Sequence, residues 1–276
     1  MAQVLENIVG DLLAYKQLEP STMLSASELM KERRTHPNEE IRKELRGSFF
    51  YTSDGILYFV ENNTPKIVIT TKSHNLVLKH IDEAFVQLTQ NGNYIPDAAE
   101  SEAAIHAQDS LVLDLNQMRL QKFDEESNYL TVSTVNYSKL NPVERRIVER
   151  VFGQGKDLVE NMKMLKDNHS SEARIYVLNP EYVREHAEEG AVARASWLNG
   201  FDYISHFFAN DCGINNLNRV RGVRRAIVSE QTTSSVVPLE DNASFGQPKP
   251  AYNSAEEYAK RMLDGIPSGT VMDWKK

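Results

Sequence analysis

Val4, Leu5, Ile8, Val9, Leu12 and Leu13 fall on one face at the 3.6-residue period of a half-buried helix. Ser25-Ala-Ser-Glu28 follows as a capping box, in which the hydroxyl accepts from a first-turn amide and the carboxylate reaches back. After His36-Pro37 the pattern predicts another short helix over 39–46, which Gly47 can end. Residues 1–47 thus read as a helical arm.

Beyond it the period shortens to that of strands. Residues 49–53 and 56–60 flank Asp54-Gly55, a pair that takes the positive φ of a tight hairpin turn cheaply, and Asn62-Asn63 offers a second turn into 66–71. A three-stranded antiparallel meander is predicted. Leu78, Ile81, Phe85 and Leu88 return to helical spacing until Asn91-Gly92, so a helix should cover this sheet. The acidic, alanine-rich stretch 96–109 fits a helix and a loose connection alike. Residues 118–123 and 129–135 predict a second hairpin. Asn141-Pro142-Val143-Glu144 opens a helix with an amide cap, a harmless proline and a carboxylate at the positive end of the dipole. Its inward face is Val143, Ile147, Val151 and Phe152, and 157–167 continues as a further helix.

A short strand at 174–178 and a second cap-plus-proline at Asn179-Pro180 lead into a long helical stretch ending near Asn210. It should be kinked or broken at Gly190 or Gly200 and striped by Trp197, Phe201, Ile204 and Phe208. From Ser229 onward prolines, serines and threonines gather, and one short helix is expected from Ser254 to Leu263. The expectation is therefore an α+β protein. Antiparallel β-hairpins pack against helices in a core of residues 48–228, with an N-terminal helical arm in front and an extended C-terminal arm over 229–276.

Composition narrows the class. With 41% hydrophobic and 25% charged residues in 276, the chain is ordinary globular material. Its longest apolar run, 56–60, is far below the roughly 20 residues a membrane helix needs, so no membrane contact is expected. No basic segment precedes an apolar one at the start, which predicts a cytoplasmic setting without a signal peptide. Cys212 is the single cysteine, which excludes an internal disulfide and an all-cysteine zinc site. No cofactor or metal is expected.

The net charge of −8 is unevenly spread: ten acids against two bases lie between Ile81 and Tyr129. Arg219, Arg221, Arg224 and Arg225, by contrast, fall within seven residues that contain no acid. Guanidinium forks suit phosphate or carboxylate partners, although the run can also neutralise the chain's own acidic segment. The Gly155-Lys156 pair lacks the first glycine and the hydroxyl of a phosphate loop, because Arg150 and Asp157 stand in those places. Residues 140–147 resemble the opening of a helix-turn-helix module of the response-regulator kind over about a dozen residues. No recognition helix can follow, since the chain turns polar and enters a strand at Arg174, so an amphipathic helix pair is expected.

Asp202 and His206, four apart on a helix, could hold a metal or orient a general base, with Asp211 close behind. A half-buried, hydrogen-bonded histidine accounts for the same pattern more simply. Phe245, Tyr252, Tyr258, Met262 and Trp274 give the tail apolar anchors for docking on a partner or a second copy. The function expected is that of a non-catalytic assembly or accessory protein working through protein–protein contacts of its terminal arms. The alternatives are a nucleic-acid-associated protein using the arginine run, and a metal-assisted enzyme centred on Asp202 and His206.

Overall fold

The computed structural model describes residues 3–6, 23–47, 50–81, 83, 84, 86, 87, 93–133, 136–167, 172–187, 190–199, 206–210 and 221–224. The strands are β1 (Gln3–Glu6), β2 (Phe50–Glu61), β3 (Thr64–Ile69), β4 (Leu111–Asp114), β5 (Gln121–Lys122), β6 (Ser127–Val132), β7 (Ala173–Leu178), β8 (Val192–Leu198), β9 (His206–Phe208) and β10 (Arg221–Arg224). The helices are α1 (Ala26–Thr35), α2 (Glu39–Gly47), α3 (Leu76–Lys79), α4 (Ala98–Ile105), α5 (Pro142–Phe152), α6 (Gly155–Asp167) and α7 (Pro180–His186). They form an α+β arrangement on one mixed sheet, ordered β1-β10-β2-β8-β9-β7-β6-β5, with β3 pairing β2 and β4 beyond β3. Two of the pairings, β10 with β2 and β7 with β9, are parallel. Among the described residues no helix is long and apolar enough to cross a membrane.

The start of the chain departs from its helical periodicity. Residues 3–6 form β1, antiparallel to β10 from Gln3↔Arg224 to Glu6↔Arg221. A neighbouring strand satisfies the backbone groups there, and an adjacent pair such as Val4-Leu5 suits a strand as well as a helix. The capping box forms as expected: Ser25 Oγ accepts from the Glu28 N–H, and Glu28 Oε2 accepts from the Ser25 N–H at 2.8 Å. The helices it opens are layers of the body and not an arm, because Leu29, Met30 and Leu45 share a core with Phe50, Ile147, Phe152 and Phe207. Arg33 of α1 is fully buried and donates to the Asn199 and Leu198 carbonyls at 2.9 and 3.4 Å, tying α1 to the end of β8. Burial pulls its pKa down to about 9, so it is still a cation at neutral pH.

The expected meander is also corrected. β2 runs straight through Asp54-Gly55 with a bulge against β8 between Tyr51 and Gly55. The turn lies instead at Asn62-Asn63, whose φ angles of 50° and 62° are those of a tight hairpin. Long-range contacts decide the matter. The buried Asp54 carboxylate accepts the Ala26 N–H at the start of α1 (2.7 Å) and lies 3.9 Å from Arg150 Nε. Around it, Thr52 Oγ1 and Ser196 Oγ are 2.5 Å apart, and the Asp54 carbonyl accepts from Ser196 Oγ (2.6 Å) and Asn75 Nδ2 (3.0 Å). Gly55 is needed for close approach: a Cβ there would lie 2.4 Å from Thr70 Oγ1, 2.6 Å from Asn75 Cα and 2.9 Å from the His74 carbonyl.

Burial raises the Asp54 pKa above the usual range, and the Ala26 N–H and Arg150 offset this only in part. A carboxyl with a raised folded value stabilises the fold below its unfolded value of about 3.9, and loses that contribution as pH rises through the folded value. Asp54→Asn keeps an acceptor for Ala26 and removes the charge. Its urea midpoint relative to wild type should therefore rise between pH 4 and pH 8, and a pH-independent difference would contradict this account.

Elsewhere the local signals hold. Asp97 caps α4, which makes that stretch a helix, and β5 pairs antiparallel with β6 as the second hairpin. Asn141 and Glu144 form a capping box on α5, and α6 follows across Gly153 and Gly155, both at positive φ. The chain then enters β7, as an amphipathic helix pair requires. The long helix toward Asn210 does not form. α7 ends at His186, and residues 192–198 are a central strand, with Val192 and Leu198 in the main core and Ala193 and Ala195 in a second cluster on the other side. Small residues buried on both faces mimic a helical stripe because they lack the β-branched signature of most strands.

Candidate functional site

Register places aromatic side chains in a line across the sheet. Tyr51 of β2 pairs Trp197 of β8, Trp197 pairs Phe208 of β9, Phe208 pairs Tyr176 of β7, and Tyr176 pairs Tyr129 of β6. One residue along, Phe50, Leu198, Phe207, Ile175 and Leu130 make the matching line in the main core. Successive residues of a strand face opposite ways, so the aromatic line occupies the face turned away from that core.

The rings contact one another. Trp197 stacks on Phe208 with centroids 3.9 Å apart and planes within 5°, and Phe208 stacks on Tyr176 at 4.7 Å and 4°. Tyr129 leans on Tyr176 at 5.6 Å, and Phe123, 55% exposed, meets Tyr176 edge-on at 5.0 Å. Such pairs contribute about 0.5–1.5 kcal/mol beyond burial. The stacked rings cover one another's faces: Tyr51 and Tyr176 are buried, Trp197, Phe208 and Tyr129 are half-buried, and of this group Phe123 is the exposed ring.

The polar members stand beside this line. Arg174 pairs with His206 in the parallel register of β7 and β9, and the Arg174 guanidinium carbon lies 4.6 Å from the centre of the Tyr129 ring. Arg174 Nη1 also reaches Tyr176 Oη at 3.5 Å. Neither Arg174 Nε nor His206 Nδ1, both buried atoms, has a hydrogen-bond partner. His206 is 9% exposed, and burial first, with the Arg174 charge second, pushes its pKa down to about 4. Its imidazole is neutral at pH 7.

Buried polar contacts hold these strands in place. The Ala209 N–H donates to the Tyr176 carbonyl at 2.9 Å, and the Tyr58 hydroxyl donates to the Ala209 carbonyl at 2.9 Å. Arg194, 2% exposed, donates to the Asn210 carbonyl at 3.1 Å and to Asn93 Oδ1 at 2.5 Å. Phe208 is thereby fixed between Trp197 and Tyr176. An open groove of about 360 Å³ lies elsewhere, at the β2–β3 turn, between Glu61, Lys66, Asp114 and Arg146.

Of the residues singled out by sequence, His206 lies in this site, but in a strand. The helical spacing that set it over Asp202 does not apply there, and Asp202 itself lies outside the described residues. Among those residues no three of His, Cys, Asp and Glu converge as metal ligands. Arg221 and Arg224 belong to β10, whose Gly222 pairs Tyr51 at the end of the aromatic line. Arg219, Arg225, Phe245, Tyr252, Tyr258, Met262 and Trp274 lie outside the described residues. Sequence reasoning missed Arg174, Tyr176, Tyr129 and the cross-strand role of Trp197 and Phe208. The alternation Arg174-x-Tyr176 within a predicted strand was the available signal.

No family model matches the chain, and no curated protein matches it. Among solved structures, one described as "accommodation of massive sequence variation in Nanoarchaeota by the C-type lectin fold" is similar at a TM-score of 0.50 and 9% identity, over 81% of this chain and 94% of that chain. The likeness is one of fold. The class that emerges is an α+β protein with a chain path similar to the C-type lectin fold and an aromatic sheet face.

Proposed function

We propose that this protein is a non-catalytic protein-binding module whose contact surface is the aromatic face of the sheet. The observation that carries the proposal is the assembly of Trp197, Phe208, Tyr176 and Tyr129 in one register line, with Arg174 beside them and Phe123 exposed at the rim. Trp, Tyr and Arg concentrate binding energy at protein interfaces. An exposed Phe123 beside the half-buried Tyr129, Trp197 and Phe208 suits a protein surface, whereas small molecules require a concavity that buries most of their area. The similar structure's description, a C-type lectin fold accommodating massive sequence variation, supports a recognition role for a scaffold of this kind. The assembly role expected of the terminal arms is thus moved to the sheet.

Panning the full chain against a displayed library of random dodecapeptides tests this. Selected peptides should bind Phe123→Ser at least about tenfold more weakly, roughly 1.4 kcal/mol, with the fold unchanged because Phe123 is largely exposed. Peptides indifferent to Phe123→Ser would remove the proposal.

A further inference from the structure

We infer that the segment bound on this face is an acidic peptide whose carboxylate is received by Arg174; the inference rests on the aromatic face being a protein contact. Arg174 is half-buried and held by the Tyr129 ring and the Tyr176 hydroxyl, and it forms no ion pair with any described residue. A guanidinium lying on a ring keeps its planar N–H fork at the edge, the geometry that grips a carboxylate through two parallel hydrogen bonds. The hydrogen bond with the Tyr176 hydroxyl first, and the charge of the exposed Glu172 as a lesser contribution, raise the Arg174 pKa against the opposing effect of burial, so it is a permanent cation.

The neighbouring groups point the same way. His206 stands opposite Arg174 in register with its Nδ1 unpartnered and is nine-tenths buried, so the pair retains unused hydrogen-bonding capacity. The imidazole is uncharged at neutral pH, so of this register pair Arg174 carries the charge. A ligand with an apolar body and one carboxylate satisfies both features, the body resting on the exposed Phe123 ring and the carboxylate on the fork. A lysine-rich or uncharged peptide satisfies only the first.

The test uses the peptides that depend on Phe123. Asp and Glu should be enriched among them, and a synthetic copy should lose at least about tenfold in affinity on Arg174→Gln, roughly 1.4 kcal/mol. Exchanging the peptide's Asp or Glu for Asn or Gln should cause a similar loss on the wild-type chain and little further loss on Arg174→Gln, the signature of a coupled pair. Arg174→Lys should fall between, since it keeps the charge and loses the fork. The peptide-side exchange leaves the protein untouched, so the coupling is read even if an Arg174 variant is less stable. Phe123-dependent peptides with no acid requirement would overturn the acidic partner while leaving the binding face intact. An absence of Phe123-dependent peptides would overturn both. If a dT15 oligonucleotide bound with the same Arg174 dependence and displaced the peptides, the face would be a polyanion site and the inference would fail.

Discussion

Gly55→Ala should destabilise the protein by about 3 kcal/mol, as overpacking does where neighbours cannot give way. Two of the three atoms its Cβ would strike belong to the backbone of His74 and Asn75, and the third is Thr70 Oγ1, whose hydroxyl donates to the His74 carbonyl at 3.0 Å. No side-chain rotation relieves the clash. The loop 70–75 would have to separate from β2, disturbing the Thr70 N–H bond to the Gly55 carbonyl (2.8 Å) and the Asn75 contact with Asp54. In a body of this size the loss corresponds to a melting temperature lower by about 10 °C. Urea unfolding of the two chains measures it, and a change within about 0.5 kcal/mol, the range of an innocuous surface substitution, would refute the account of Gly55.

Glu144→Ala should also cost about 3 kcal/mol, because it empties a fully buried site and leaves the Arg119 and Asn141 N–H groups without their acceptor, at about 1–3 kcal/mol each, while the exposed Arg119 guanidinium can turn to water. The fully buried Glu144 carboxylate accepts from the Arg119 N–H (2.8 Å), Arg119 Nε (2.9 Å), Arg119 Nη2 (2.5 Å) and the Asn141 N–H (2.8 Å). Burial acts to raise its pKa, but the bonds from Arg119 and Asn141 outweigh burial and hold the carboxyl below its usual value. A depressed folded value gives stability that is present above the unfolded value of about 4.3 and is lost as pH falls through the folded value. The advantage of wild type over Glu144→Gln in urea midpoint should accordingly shrink from pH 7 toward pH 2. Asp54→Asn moves the opposite way against wild type, so the two series check each other.

What could be read from sequence was what the chain settles locally. The boxes at Ser25 and Glu28 and at Asn141 and Glu144 put both partners within one helical turn, and residue types alone reveal them. Asn62-Asn63 forms its turn for the same reason. Asp54-Gly55 carries an equally strong turn signal and does not turn, because what fixes it arrives from Ala26, Thr70, Asn75 and Arg150. Trp197 and Phe208 are eleven residues apart, close to three helical turns, and two strands also bring them together; the sequence does not distinguish the cases. The candidate site was hidden more deeply. Its members were visible one by one, but their adjacency depends on β9 inserting between β7 and β8, which no local pattern encodes.

The aromatic line also sets a clock. Its five rings come from residues 51, 129, 176, 197 and 208, so its contacts span long stretches of chain that must be closed at an entropic cost before any of them forms. Folds dominated by such distant pairings refold in milliseconds to seconds, far more slowly than helical bundles. Trp197 sits within the stack, so in a chain carrying Trp274→Phe its emission should reach the native value only with this slow phase, after the helical circular dichroism signal has largely returned. The surface proposed to meet a partner would then be among the last parts of the molecule to exist, and binding competence would itself report that folding is complete.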